Sequence, residues 1–321
     1  MNEILKQIGD IGIVPIMQLD SPEDAVPLAA ALRDGGLPLM EIMFRTPAAE
    51  ESIRRIANEM PDFLVGAGTI LNIDQVKRAV AAGAKFIVSP GFNPAVVRYC
   101  VENNIPITPG CVTPTEIEAA MALGIEVVKF FPAVQMGGVA AMNELSGPYP
   151  NIRFIATGGL NTELMCEYLK FDKLLAAGGG FMVKPEYLEN KEFHKITMLT
   201  NEVVHKMLGL QIGHVGINCD SEAEAQDVSK QLSGLFDFGI SDFPKSYFAG
   251  KLFEVMKSPY YGQKGHISIL SDDVPRTHAF LKRKGVEFVE QTAAYDEKGK
   301  LSVIYLKEEF GGFALHLAKK N

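Results

Sequence analysis

Lys129 lies within the apolar run Val127-Val128-Lys129-Phe130-Phe131-Pro132, an unusual setting for a charged side chain. Burial disfavours a protonated amine, and a neutral amine can attack a ketone. A lysine in such a run also serves as a structural filler between strands, so its neighbours decide. Glu41 and Arg45 stand four residues apart in Glu41-Ile42-Met43-Phe44-Arg45, where a strand gives way to a loop. The plain reading of that pair is a salt bridge at a strand end. The chemical reading divides the work: the planar guanidinium of Arg45 grips a substrate carboxylate, while Glu41 moves protons directly or through water. Two turns, Thr157-Gly158-Gly159 and Gly178-Gly179-Gly180, offer backbone amides of the kind that cradle phosphate, although glycine also simply makes tight turns.

These side chains are far apart in the chain, so the elements between them must bring them together. Eight short apolar runs span residues 13–17, 37–43, 63–68, 85–90, 105–110, 126–132, 153–159 and 173–179. Amphipathic stretches separate them, several beginning with Ser, Thr or Asn near a Pro or Glu and ending near Gly or Asn. Near-continuous apolar strands alternating with helices predict a parallel sheet covered on both faces. Eight such units predict a closed (β/α)8 TIM barrel, within the α/β class. The competing doubly wound sheet lacks its Gly-x-Gly-x-x-Gly turn after residues 13–17. In a barrel the C-terminal strand ends form the active face, and Glu41, Arg45, Thr69 and Lys129 fall there.

A chain of 321 residues predicts a barrel with an added domain. Its 47% hydrophobic and 22% charged residues are those of a globular protein. The net charge of -8 is uneven: residues 1–208 hold 24 acids against 17 Lys and Arg, residues 209–321 hold 15 against 14. Neither part carries the positive balance of a nucleic-acid-binding surface. No apolar stretch is long enough to predict a membrane span. The acidic N-terminus has no signal-type apolar core, and Cys100, Cys111, Cys166 and Cys219 lack zinc or redox pair spacing. Reduced thiols in a cytoplasmic protein are the expectation.

The segments GIVPIM, EIMFRT, GAGTILN, FIVSPGFNP, IPITPGCVTPTE, VVKFFPA, FIATGGL and AAGGGFMV follow one another in residues 1 to about 205. That series resembles the 2-keto-3-deoxy-6-phosphogluconate / 4-hydroxy-2-oxoglutarate aldolase family. The resemblance implies a class I aldolase in which Lys129 forms the Schiff base, Glu41 transfers protons and Arg45 binds the pyruvyl carboxylate. Thr69, Pro90 and Phe131 match positions around the keto-acid part, and Thr157, Gly158, Gly159, Gly178, Gly179 and Gly180 match the phosphate end. Gly180 stands where the phosphogluconate-type pattern has Ser, so one hydroxyl donor is missing and substrate preference stays open. The resemblance also implies a homotrimer, a place in the Entner-Doudoroff pathway, a small keto acid and aldehyde as reactants, and no required cofactor. The phosphogluconate substrate stands ahead of 4-hydroxy-2-oxoglutarate, with a bifunctional enzyme between them. From other classes, a phosphate-sugar isomerase or decarboxylase would use Lys129 only as a charge, and a sensor would have a degenerate barrel.

Near residues 208–211 the organisation changes, giving expected domains of 1–208 and 209–321. GHVGINCDSEAEAQDVSKQL repeats as GHISILSDDVPRTHAFLKRK 52 residues later, and GKLFEVMK pairs with GFALHLAK. Two βαβββ modules of an α+β domain are predicted. The pattern resembles the glyoxalase / vicinal-oxygen-chelate fold. His214, Glu254, His266 and His316 match its four metal-ligand positions, the last of which more often carries Glu than His. The resemblance implies a divalent metal there. Structural strand histidines, a regulator-binding role or a role in assembly are the other readings.

Overall fold

The strands of the first unit are short and apolar because both of their faces are covered. They are β1 (Ile13–Met17), β2 (Leu39–Met43), β3 (Leu64–Gly68), β4 (Ile87–Val88), β5 (Ile107–Thr108), β6 (Val127–Phe130), β7 (Arg153–Thr157) and β8 (Leu174–Gly179). The computed structural model describes residues 1–320 and divides after Met207 into two units. The helices of the first unit are α1 (Glu3–Ile11), α2 (Ala25–Asp34), α3 (Ala48–Glu59), α4 (Ile73–Ala81), α5 (Pro94–Glu102), α6 (Pro114–Ala122), α7 (Gly138–Ser146), α8 (Thr162–Tyr168) and α9 (Pro185–Glu189). A longer α10 (Phe193–Leu208) follows. Side chains of Asn72, Asn93, Thr113 and Asn161 cap α4, α5, α6 and α8, and Thr113 with Glu116 forms a reciprocal capping box.

The parallel strands run in the order β5-β4-β3-β2-β1-β8-β7-β6. Two further bonds close the ring: the Lys129 amide donates to the Pro109 carbonyl at 2.8 Å, and the Cys111 amide donates to the Lys129 carbonyl at 2.9 Å. Lys129 is thus pinned through its backbone on the closing strand, with Ile155 of β7 as its partner on the other side. β4 and β5 are two residues long, shorter than their apolar runs. Pro90, Pro106 and Pro109 explain the difference, since proline has no amide to give to a ladder. Among the described residues, no helix is long and apolar enough to cross a membrane.

The second unit comprises β9 (Gln211–Asn218), α11 (Glu222–Phe236), β10 (Ile240–Asp242), β11 (Ser246–Ala249) and β12 (Phe253–Met256). Its second half is β13 (Gly265–Ser271), α12 (Val274–Arg283), β14 (Phe288–Tyr295), β15 (Leu301–Phe310) and β16 (Phe313–Lys319). These are two βαβββ modules in one sheet, ordered β10-β11-β12-β9-β13-β16-β15-β14. β9 and β13 meet antiparallel at the centre, flanked by the parallel partners β12 and β16. Each module has its own apolar cluster, one around Ala225, Tyr247 and Val255, the other around Val274, Ile304 and Leu317.

Candidate active site

β6 carries Lys129 and β2 carries Glu41, both buried inside the barrel. The Lys129 Nζ stands 3.3 Å from Glu41 Oε1 and 5.5 Å from the centre of the Phe131 ring. Room for the carboxylate comes from the neighbouring strand: a Cβ on Gly68 would lie 1.9 Å from Glu41 Oε1. After Gly68 the chain turns through Thr69, whose φ of 58° is rare for a branched side chain. That turn brings the Thr69 hydroxyl within 3.1 Å of Arg45 Nε, which donates to it and fixes the guanidinium at the mouth.

A cavity of about 280 Å³ opens above the pair, lined by Arg45, Thr69, Pro90, Lys129, Phe131, Thr157 and both glycine turns. Gly158 and Gly159 hold φ of 98° and 79°, a left-handed backbone that keeps the turn clear of side chains. Glu41 is the exception among the expected residues. It lies beneath the cavity, bordering with Lys129, Thr108 and Thr157 a void of about 10 Å³, roughly the room one water needs. Thr157 lines both spaces, and its hydroxyl is buried with no hydrogen-bond partner among the described residues. Ile16, Met43 and Leu160 also line the cavity and were absent from the expected set. Their signal was position: Ile16 is next to last in β1, Met43 closes β2, and Leu160 follows the first glycine turn.

A second cluster occupies the four central strands of the second unit. His214 Nε2 and His266 Nε2 lie 3.1 and 3.0 Å from the same oxygen, Glu254 Oε2, and 3.2 Å from each other. Ser246 Oγ donates to the other carboxylate oxygen at 2.8 Å. Ligating atoms of His214, His266 and His316 all fall within 4.8 Å of one another. Burial by itself raises the Glu254 carboxyl, but hydrogen bonds from His214, His266 and Ser246 outweigh it and hold the group well below the usual carboxylate range. Burial, with His266 and His214 beside it, pushes His316 down to about 4. Gly216 makes this packing possible: a Cβ there would come 2.1 Å from the His266 ring.

Comparison with known proteins bears on the first unit. A family profile described as KDPG and KHG aldolase matches residues 2–199. The 2-dehydro-3-deoxy-phosphogluconate aldolase of Treponema pallidum is 44% identical over 204 residues, covering 64% of this chain and 97% of that protein. The KHG/KDPG aldolase of Escherichia coli K12 is 38% identical over 192 residues, 60% of this chain and 90% of its own. Among solved structures, KDPG aldolase from Legionella pneumophila, with pyruvate captured as a covalent carbinolamine intermediate, superposes with a TM-score of 0.60. It is 34% identical and covers 62% of this chain and 97% of that one. With eight parallel strands, a buried lysine and carboxylate at their ends, and this match across more than half its length, the chain belongs to the KDPG and KHG aldolase family.

Proposed function

We propose that the barrel is a class I aldolase that reversibly cleaves 2-keto-3-deoxy-6-phosphogluconate to pyruvate and glyceraldehyde 3-phosphate through a Schiff base on Lys129. The observation that carries this reading is the Lys129 amine 3.3 Å from the Glu41 carboxylate, below a cavity bounded by Arg45 and two glycine turns. Glu41 is placed to take a proton from the amine, which then attacks C2 of the keto acid. Arg45 holds the carboxylate beside that carbon. Loss of water from the carbinolamine gives a protonated imine, which accepts the C3–C4 bonding electrons as the bond breaks. Glu41, through a water in the small void, takes the C4 hydroxyl proton, and the aldehyde leaves. Protonation of the enamine at C3 and hydrolysis release pyruvate and restore the amine. The imine stores the carbanion electrons, so the route needs no metal.

The glycine turns supply amides for the phosphate, and Thr157, with its unpaired hydroxyl, supplies a further donor near the substrate's middle. Gly180 supports a second substrate, 4-hydroxy-2-oxoglutarate, because the site lacks one hydroxyl at the phosphate end. Coupled measurement of pyruvate release from both compounds separates the readings. The account expects kcat/KM at least tenfold higher for the phosphorylated substrate; the reverse order would assign the enzyme to 4-hydroxy-2-oxoglutarate. Homotrimeric assembly, a cytoplasmic setting and a role in the Entner-Doudoroff pathway are carried from the family likeness alone, and sedimentation of the full chain tests the first.

We assign residues 209–321 as a glyoxalase-like domain with a divalent-metal site formed by His214, Glu254, His266 and His316. Adjacent donors on a metal with bonds of ~2.1 Å stand ~3.0–3.4 Å apart, and three donor pairs here are 3.0 to 3.2 Å apart. His316 Nε2 is buried without a hydrogen-bond partner among the described residues, as a waiting ligand would be. A bound ion would supply Lewis acidity toward an oxygen ligand.

A further inference from the structure

The four residues proposed to hold the metal contribute three neutral imidazoles and one carboxylate. A divalent ion among them retains one positive charge. A second carboxylate at the fourth position would cancel it, and the chain has His316 there instead.

His316 is firmly set in its role. Its ring stacks on Tyr305, with centres 4.7 Å apart and planes 27° from parallel. Its Nδ1 faces the Leu317 carbonyl at 3.4 Å, which leaves Nε2 for the cluster. Ser246 occupies one oxygen of Glu254, so that the carboxylate presents the other to His214 and His266. His214 and Glu254 keep 18% and 19% of their side chains exposed, against 2% for His266, so the centre is reached from the His214 and Glu254 side. Four protein donors leave places for exchangeable ligands on a metal that takes five or six, and imidazole favours the later first-row metals over magnesium or calcium.

We propose that His316 makes this centre a cationic receptor for a small carboxylate that binds the metal through oxygen. This rests on the metal reading given above. The barrel's keto-acid product falls in the same chemical class, which would give one chain two sites for related compounds.

The test uses the full chain, stripped of metal and loaded with Co²⁺, whose visible absorption reports its ligands directly. Oxalate is the probe, because it has no ketone to react with Lys129; oxamide is its neutral counterpart. The proposal expects oxalate to change the cobalt bands of the native chain and to bind at least tenfold more tightly than oxamide. His316→Glu, which puts a carboxylate in place of the imidazole and cancels the remaining charge, should weaken oxalate binding at least tenfold. Unchanged bands with oxalate, equal affinity for oxamide, or full oxalate affinity in His316→Glu would each overturn the receptor while leaving the metal site standing. If the native chain takes up no cobalt, or His266→Ala takes up as much as the native chain, the metal reading falls and the receptor falls with it. The native comparison of oxalate with oxamide decides the matter even if a His316 variant fails to fold.

Discussion

Lys129 and Glu41 carry different halves of the proposed chemistry, and their variants should separate them. Lys129→Ala removes the nucleophile and should abolish aldol cleavage. Glu41→Gln keeps the shape and removes the base, so kcat should fall by ~10²–10⁴ with a much smaller change in KM, measured by pyruvate release. At Gly180 an added Cβ would meet only the Ile16 carbonyl at 3.5 Å, an ordinary contact. Gly180→Ser should therefore fold normally and lower KM for the phosphorylated substrate by ~5–10-fold, the worth of about one added hydrogen bond. An unchanged KM would remove that residue from the phosphate end. Burial pushes the Cys100 and Cys111 thiols up to about 12, with Glu116 adding to the effect at Cys111. The unfolded chain ionises these thiols near 9. Their contribution to stability is complete below that pH and is lost as pH rises toward 12. Iodoacetamide at pH 8 should modify both only after denaturation. The Lys129, Glu41 and Arg45 set was legible because each residue breaks an apolar strand-end pattern. Their common place on one barrel face was legible too, but the direct contact of lysine with glutamate was not, since 88 residues separate them and only barrel closure brings them to 3.3 Å.

At the level of elements, two glycines control the sites from a neighbouring strand. Gly68→Ala would press on the Glu41 carboxylate across the β2–β3 pair and should lower kcat by at least ~10-fold while circular dichroism stays native. Gly216→Ala would collide with the His266 ring and should reduce Co²⁺ uptake by the full chain. Neither role could be read along the sequence, because each depends on which residues stand opposite in the finished sheet. The eight strands were legible from apolar runs bounded by turns, and their lengths were overstated where proline interrupts the ladder. α7 starts after a left-handed Gly137 with no side-chain cap, so its start carries no capping signal. α1 did carry a signal, the Asn2 side chain that accepts from the Ile4 amide. The doubled βαβββ pattern was visible as an internal repeat, with His214 and His266 at matching places on β9 and β13.

For the whole molecule, the proposed aldol chemistry of one unit needs no metal, while the proposed metal site belongs to the other. Treatment with a chelator should leave aldol cleavage by the barrel within about twofold of the untreated rate. The central claim is the covalent intermediate on Lys129. The measurement that reaches it most directly is mass spectrometry of the intact protein and its peptides after incubation with pyruvate and borohydride, with Lys129→Ala alongside. The account predicts one reduced pyruvyl adduct per chain, mapped to the peptide containing Lys129 and missing from the variant. Folded native protein that gains no adduct, or gains it equally in the variant, would contradict Schiff-base catalysis at this site.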